Sequence, residues 1–546
     1  MEKSIRELIE KAIKNMGVES YPVELEIPRE ERYGDLATPA AMGLSKLLKR
    51  PPRQIAEEIV RHIGDTDVCE RVDIAGPGFI NFSFSRTFLY SQLKSLLSFT
   101  KDFVRKDMGK GRKVQVEFVS ANPTGPLHLG HGRGAAVGAA LSNLLEAAGF
   151  RVEREYYVND AGRQVKVLGH SVFAKYQQLL GIEYPFPEDG YKGGYVEEIA
   201  KKVVSLVGSK YSETSFQDAS DFFVDFSYRQ MLREIEEDLG AFGITFDTWQ
   251  SERELYTGNE VDNAIDDLRR RRHLYEENGA LWFRATAFGD DKDRVIIKGD
   301  GEFTYFASDI AYHRKKIEKG FDEIVDIWGA DHHGYITRLK AVIEALGYPP
   351  EHLRVLLVQM VTLLRAGNPV QMSKRAGEFV TLREVMEEVG SDTTKFIFLT
   401  RRPDSHLEFD LEVAKEQSAE NPVFYVQYAN ARIHSIFAHA REKGMEGKDF
   451  TEADLSLLSA PEELRIIKKL LTYLMTFEGA AISREPHRIT FFLQELTGLF
   501  HPYYNKYKVV TEDRKLTRAR LALCEAIRIV LKDGLEILGL GAPERM

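Results

Sequence analysis

Two short runs of this chain hold residue types suited to chemistry on a polyphosphate. His128-Leu129-Gly130-His131 follows Pro126, where a strand pattern gives way to a helix pattern. Imidazoles three residues apart share a face of the first helical turn. Unpaired backbone N–H groups and the helix dipole favour an anion there. Gly130, having no Cβ, would let a flat ring approach the backbone. The pattern suits a nucleotide with its phosphates beside two hydrogen-bond donors. A metal pair completed by His332 and His333, or two structural junction histidines, are the alternatives. The second run, Gln371-Met372-Ser373-Lys374-Arg375, comes some 240 residues later, between the turn signal Gly367-Asn368-Pro369 and Gly377. Such a loop can move, and a lysine on a flexible stem suits a migrating phosphate. Alone, the run reads equally as a solvated basic surface loop.

These runs need a frame. Lys113 to Val119 alternates as a strand, Leu129 to Ala148 is a helix rich in Ala and Gly on one face, and Arg151 to Val158 is a second strand. This βαβ unit predicts a parallel, doubly wound sheet. A second half follows: strand Ile324 to Gly329, helix Tyr335 to Leu346, strand Leu353 to Val361. The roughly 150 residues between the halves read as mixed helix and loop inserted in the domain. Ahead of it, Arg71 to Ser85 reads as a hairpin turning at Gly76-Pro77-Gly78, followed by a helix from Arg86. From Asn421 the pattern is helical throughout, with helices expected over Phe424 to Ala440, Glu462 to Phe477, His487 to Phe500 and Thr517 to Leu538. Three domains are expected: an α+β domain at 1–105, an α/β domain with insertions at 106–420 and an all-α bundle at 421–546.

The net charge of the 546-residue chain is −10, with 74 basic and 84 acidic residues. Indiscriminate nucleic-acid binding is disfavoured. The charge is uneven: 421–546 carries +2 and the remainder −12, so the C-terminal part tolerates a polyanion better than the body does. Cys69 and Cys524 stand far apart with no CxxC, which excludes a disulfide scaffold and a cysteine-built zinc site and fits a reducing cytoplasm. No run approaches the ~18 apolar residues of a membrane span, and the N-terminus has no signal-peptide pattern.

The two runs together, each bordering one half of a parallel sheet, resemble the paired signatures of class I aminoacyl-tRNA synthetases. The match narrows to the arginyl-tRNA synthetases through VEFVSANPTGPLHLGHGRGA (116–135), YVNDAGRQV (157–165), IWGADHHGYITRLKA (327–341), NPVFYVQYANARI (421–433), GPGFINFSFS near residue 80 and the C-terminal helix. The resemblance implies a Rossmann-like catalytic domain, an N-terminal domain that reads the tRNA elbow and a helical anticodon-binding domain. It implies ligation of L-arginine to tRNA(Arg) through an adenylate, with ATP as substrate and Mg²⁺ beside it, no resident metal, no membrane, a monomer and a cytoplasmic location. His128, His131 and Lys374 would serve catalysis, and Gly130, Gly329, Asp331, Met372 and Ser373 would join them around ATP. Glu117, Ser120, Asn122, His131 and His332 would hold the amino acid, although some family members carry glutamine at the position of His332. Tyr305 and Asp309, four apart on a helical face, would grip the guanidinium, since a planar cation calls for a carboxylate and an aromatic face. Asn81 and Phe84 would read an elbow nucleotide, and Tyr425, Tyr428 and Arg432 would stack splayed bases; a core strand and a core stripe are the plain alternatives. Some family members carry a lysine where this chain has Gly125, and those often lack the lysine at 374.

Overall fold

The computed structural model describes residues 1–28, 30–98, 107–370, 380–418, 420–445 and 449–546. Met372, Ser373 and Lys374 therefore lie outside the described residues, as does the boundary expected at 105.

The sheet that frames the site has five parallel strands: β1 (Lys113–Glu117), β2 (Arg151–Val158), β3 (Thr248–Ser251), β4 (Glu323–Gly329) and β5 (Leu353–Val358). Their order is β5-β4-β1-β2-β3. The chain winds one way from β1 and then returns to its other side, so the centre of the sheet is a switch point, where such folds bind ligands beyond the strand C-termini. The helix between β1 and β2, α1 (Leu129–Ala147), lies on this sheet through its small residues. A Cβ on Gly138 would stand 2.2 Å from Cγ of the buried Phe118, whose ring packs on Phe246 at 4.5 Å. Gly138→Ala is accordingly expected to destabilise by about 1–3 kcal/mol or more through overpacking, read as a lowered Tm; an unchanged Tm would show that α1 does not press on Phe118.

Around this sheet, the expected hairpin is present as Cys69–Ala75 paired with Phe79–Phe84, joined by Leu36–Thr38 in a three-stranded antiparallel sheet. Three expectations need correction. The insertion between the halves contains an antiparallel meander, Leu274–Glu277, Ala280–Phe283 and Arg294–Ile297, whose four-residue strands are too short to show a period. The strand expected through Val361 ends at Val358, and Val361–Arg365 pairs with Leu407–Asp410 in a separate sheet. The helix expected over Glu462 to Phe477 is two, Pro461–Leu471 and Tyr473–Ser483, with the apolar period running on across the break at Thr472. The N-terminal part leans on the C-terminal helices: the Tyr90 hydroxyl donates to the Leu458 carbonyl (2.9 Å) and Lys468 pairs with Asp35 (2.8 Å). Among the described residues no helix is long and apolar enough to cross a membrane.

Candidate functional site

At the C-terminal end of β1 the backbone turns sharply. Val119 and Ser120 take φ of 69° and 39°, a conformation costly for non-glycine residues and most of all for a β-branched one. The turn aims the Ser120 hydroxyl back at Glu117 Oε1 (2.8 Å), while its oxygen accepts from the Tyr157 N–H (3.1 Å). The chain then reaches α1, whose first turn is capped by its own imidazoles. Gly130 N–H donates to His128 Nδ1 (3.1 Å), and His128 N–H donates to His131 Nδ1 (3.4 Å). The rings stack with centroids 3.7 Å apart. With each Nδ1 accepting, the neutral rings carry their protons on Nε2, so two N–H donors are set side by side. The flat ring that Gly130 admits is that of His128: a Cβ on Gly130 would stand 3.0 Å from its Cε1.

These imidazoles, with Asn122, Gly125 and Gly130, line a cleft of about 1020 Å³. Its far wall is residues 188–193 and Tyr195 of the insertion, with Met360 and Val361 at one end. The Tyr195 hydroxyl donates to the Thr124 carbonyl (2.8 Å) and fixes that wall to the βα loop. The described chain leaves this region at Val370, whose N–H donates to the Leu363 carbonyl, and resumes at Val380; Thr381 then pairs with His128. Thr381 is thus held at the first histidine. Arg133, which the sequence reading missed, secures the surrounding loops. Fully buried, it donates to the carbonyls of Gln359, Arg402 and Ser405 at 2.8–2.9 Å, and burial lowers its pKa to about 10.

Asp309 and Glu252 form a second group of buried and half-buried carboxylates near the C-terminal ends of the strands. Asp309 on α2 (Tyr305–Glu318) is half-buried and accepts from the Tyr335 hydroxyl (2.6 Å), and no cation pairs with it among the described residues. Glu252, also missed, is 3% exposed, and its Oε2 has no hydrogen-bond partner. Burial raises the pKa of both groups; at Asp309 the Tyr335 hydroxyl and the charges of His313 and Arg338 oppose the rise, and at Glu252 Ser308 opposes it while the charge of Asp309 adds to it. Asp160 of the YVND run, buried, accepts from the Ser251 hydroxyl (2.7 Å) and the Arg253 N–H (2.9 Å), clamping Glu252 from both sides. Tyr157 lies among these carboxylates: its pKa is raised by burial and by the charges of Glu252, Asp309 and Glu117.

The structure therefore brings together His128, Gly130, His131 and Asn122 in the cleft, and Glu117, Ser120 and Asp309 around Tyr157. Tyr305 is 67% exposed at the start of α2. Gly329 ends β4, and Asp331 and His332 follow it, all outside the cleft lining, the His332 side chain exposed and 3.9 Å from Asp331. His332 and His333 join no group of three metal-ligating side chains among the described residues. Asn81 and Phe84 are buried, and Phe84 packs on Phe88 at 5.3 Å. Three apart on one strand, their side chains point to opposite faces; both are covered, and Phe84 presents no base-stacking face. Arg432 lies between the rings of Tyr428 and Tyr504, 4.5 Å from each, and bonds His501 Nδ1 (3.0 Å); Tyr425 packs on the same histidine at 4.2 Å.

Three family models match the chain: arginyl tRNA synthetase N terminal domain at residues 3–84, tRNA synthetases class I (R), catalytic domain at 92–433, and DALR anticodon binding domain at 426–546. An arginine–tRNA ligase of Citrifermentans bemidjiense is 50% identical over 96% of this chain and 95% of its own length. That of Geobacillus thermodenitrificans is 47% identical over 100% and 99%. The solved Thermus thermophilus arginyl-tRNA synthetase, 23% identical, shares the fold with a TM-score of 0.78 over the whole of both chains.

Proposed function

This chain belongs to the arginyl-tRNA synthetases, and from that premise we propose how its residues select and activate arginine. It ligates arginine to tRNA for translation, with arginine, ATP and tRNA as substrates. The arginine carboxylate attacks the α-phosphorus of ATP and pyrophosphate leaves. A hydroxyl of the terminal adenosine of tRNA(Arg) then attacks the adenylate carbonyl, and AMP leaves. Neither step needs a covalent enzyme intermediate, so catalysis is positioning and charge stabilisation.

The His128 and His131 Nε2–H groups donate to the phosphates of ATP, and Lys374 neutralises the departing pyrophosphate. Gly329, Asp331, Met372 and Ser373 complete the nucleotide site, and Mg²⁺ travels with the phosphates. Glu117 receives the α-ammonium of arginine, assisted by Ser120, Asn122, His131 and His332. The guanidinium enters between Asp309 and Glu252, with Tyr305 over it. Tyr425, Tyr428 and Arg432 contact the anticodon arm of tRNA, and the N-terminal domain meets its elbow. The working unit is a cytoplasmic monomer.

The observation that carries this reading is a half-buried Asp309 with no direct ion pair beside a buried Glu252 whose Oε2 has no hydrogen-bond partner, both among the described residues. Two such carboxylates demand a delocalised cation with several donors. Citrulline, neutral and nearly isosteric, tests it. Its kcat/KM for charging is expected to fall at least about 10²-fold below that of arginine, the cost of leaving a buried charge unpaired. Charging of citrulline within tenfold of arginine would sink the reading.

A further inference from the structure

The face of α2 that bears Tyr305 and Asp309 continues through Tyr312 and Lys316, at steps of four, three and four residues. The continuation does not touch the guanidinium pocket. It reaches under the sheet to Glu117. Lys316 is 1% exposed, and its Nζ donates to Glu117 Oε2 (2.5 Å) and Asp326 Oδ1 (2.8 Å), 4.2 Å from the centroid of the Tyr312 ring. Glu117 Oε2 also accepts from the Tyr312 hydroxyl (3.0 Å), leaving Oε1 with only the Ser120 hydroxyl among the described residues. The other groups facing this cluster are Glu155 and Tyr157 from β2, Asp326 from β4, His313 from α2 and Lys319 just past its end. Glu155 accepts from Tyr312 and from Lys319 (2.9 Å), and Asp326 bonds His313 (3.0 Å). Two buried carboxylates, Glu117 and Asp326, thus share one fully buried ammonium, with Glu155 paired to Lys319 beside them. Burial pushes the Glu117 carboxyl up, with Asp326 and Glu155 adding to the rise and Lys316 opposing it. Against burial, Lys316 and His313 hold Asp326 down to about 2.

We propose that Lys316 is a positioning residue for the amino-acid substrate: its ammonium keeps Glu117 ionised and turned so that Oε1 meets the α-ammonium of arginine. One helix then sets both ends of the substrate, the guanidinium through Asp309 and the α-ammonium through Lys316 acting on Glu117. The inference rests on the reading of Glu117 as the α-ammonium ligand.

Charging of tRNA by the full chain tests it. In Lys316→Met the arginine KM is expected to rise about tenfold or more at neutral pH and to recover as pH is raised from about 6.5 to 8.5. The wild-type arginine KM stays flat over that range, and the ATP KM is unchanged in both. The sign follows from the charges: without the ammonium, Glu117 takes a proton, the neutral acid binds an ammonium poorly, and raising pH restores the carboxylate. Lys316→Arg, which keeps the charge, should stay nearer the wild-type profile. If Lys316→Met does not fold, Lys316→Gln with Asp326→Asn removes one buried charge of each sign and is read the same way. Glu117→Gln should give a high arginine KM at every pH. If Glu117→Gln leaves the KM unchanged, the reading of Glu117 falls and the inference with it. If Glu117→Gln raises the KM while the Lys316 variants keep a wild-type, pH-flat value, the inference alone is overturned.

Discussion

Asp309→Asn is expected to raise the KM for arginine by at least about 10²-fold while the KM for ATP stays near its wild-type value. The substitution replaces a charge-assisted contact with a neutral amide that offers two N–H donors to a guanidinium that can only donate. Breaking a buried charge pair costs about 3–5 kcal/mol. Asp309 accepts a hydrogen bond from Tyr335 and has no direct ion pair among the described residues, with His313 and Arg338 acting on it only through space, so a bidentate cation can still be seated on it. The variant should fold, because the carboxylate supports no internal ion pair. Steady-state charging with arginine and ATP titrated separately decides it; an arginine KM shifted less than about threefold, far below the cost of a broken buried pair, would remove Asp309 from the guanidinium site.

Lys374→Ala is expected to lower kcat by about 10²–10³, the loss typical of one preorganised donor to a transition-state charge. The arginine KM should change far less, because the contact is made mainly to departing pyrophosphate. Lys374 itself lies outside the described residues; farther along the chain, Thr381 pairs with His128. A lysine at position 125 should supply the same cation from a fixed loop. Gly125 is not among the residues with left-handed φ, so the backbone permits the change. A Cβ there would stand 3.2 Å from the Tyr195 hydroxyl oxygen. Rescue of Lys374→Ala by Gly125→Lys should therefore improve when Tyr195→Phe removes that oxygen. A nearly fully active Lys374→Ala, or a defect confined to arginine binding, would contradict this role.

What the sequence made legible was local. The strand–loop–helix from Lys113 to Ala147 is contiguous, and its small residues announce a helix pressed on a sheet, as Gly138 against Phe118 shows. His128 and His131 share a turn, so their common face could be read from spacing alone. Tyr305 and Asp309 were legible for the same reason. The residues that escaped notice act across long separations: Lys316 lies 199 residues from Glu117, and Arg133 reaches carbonyls more than 220 residues away. Glu252 sits in a run of charged residues, and only its burial separates it from a surface carboxylate. Left-handed φ at Val119 and Ser120 runs against the preference of both residue types, so no local signal could give it. Phe84 shows the converse. Its strand alternation was read correctly, but alternation does not say which face meets the core, and here every residue from Ile80 to Phe84 is buried.

The most direct measurement is ATP–pyrophosphate exchange with each amino acid in turn, with and without tRNA(Arg). Exchange with arginine, and only when tRNA is present, is the expected result. The guanidinium pocket excludes neutral and acidic side chains, and binding energy from remote RNA contacts orders the site before activation. Exchange with lysine or glutamine at a kcat/KM comparable to that of arginine would contradict selection by Asp309 and Glu252, and robust exchange in RNA-free protein would contradict the coupling of activation to tRNA.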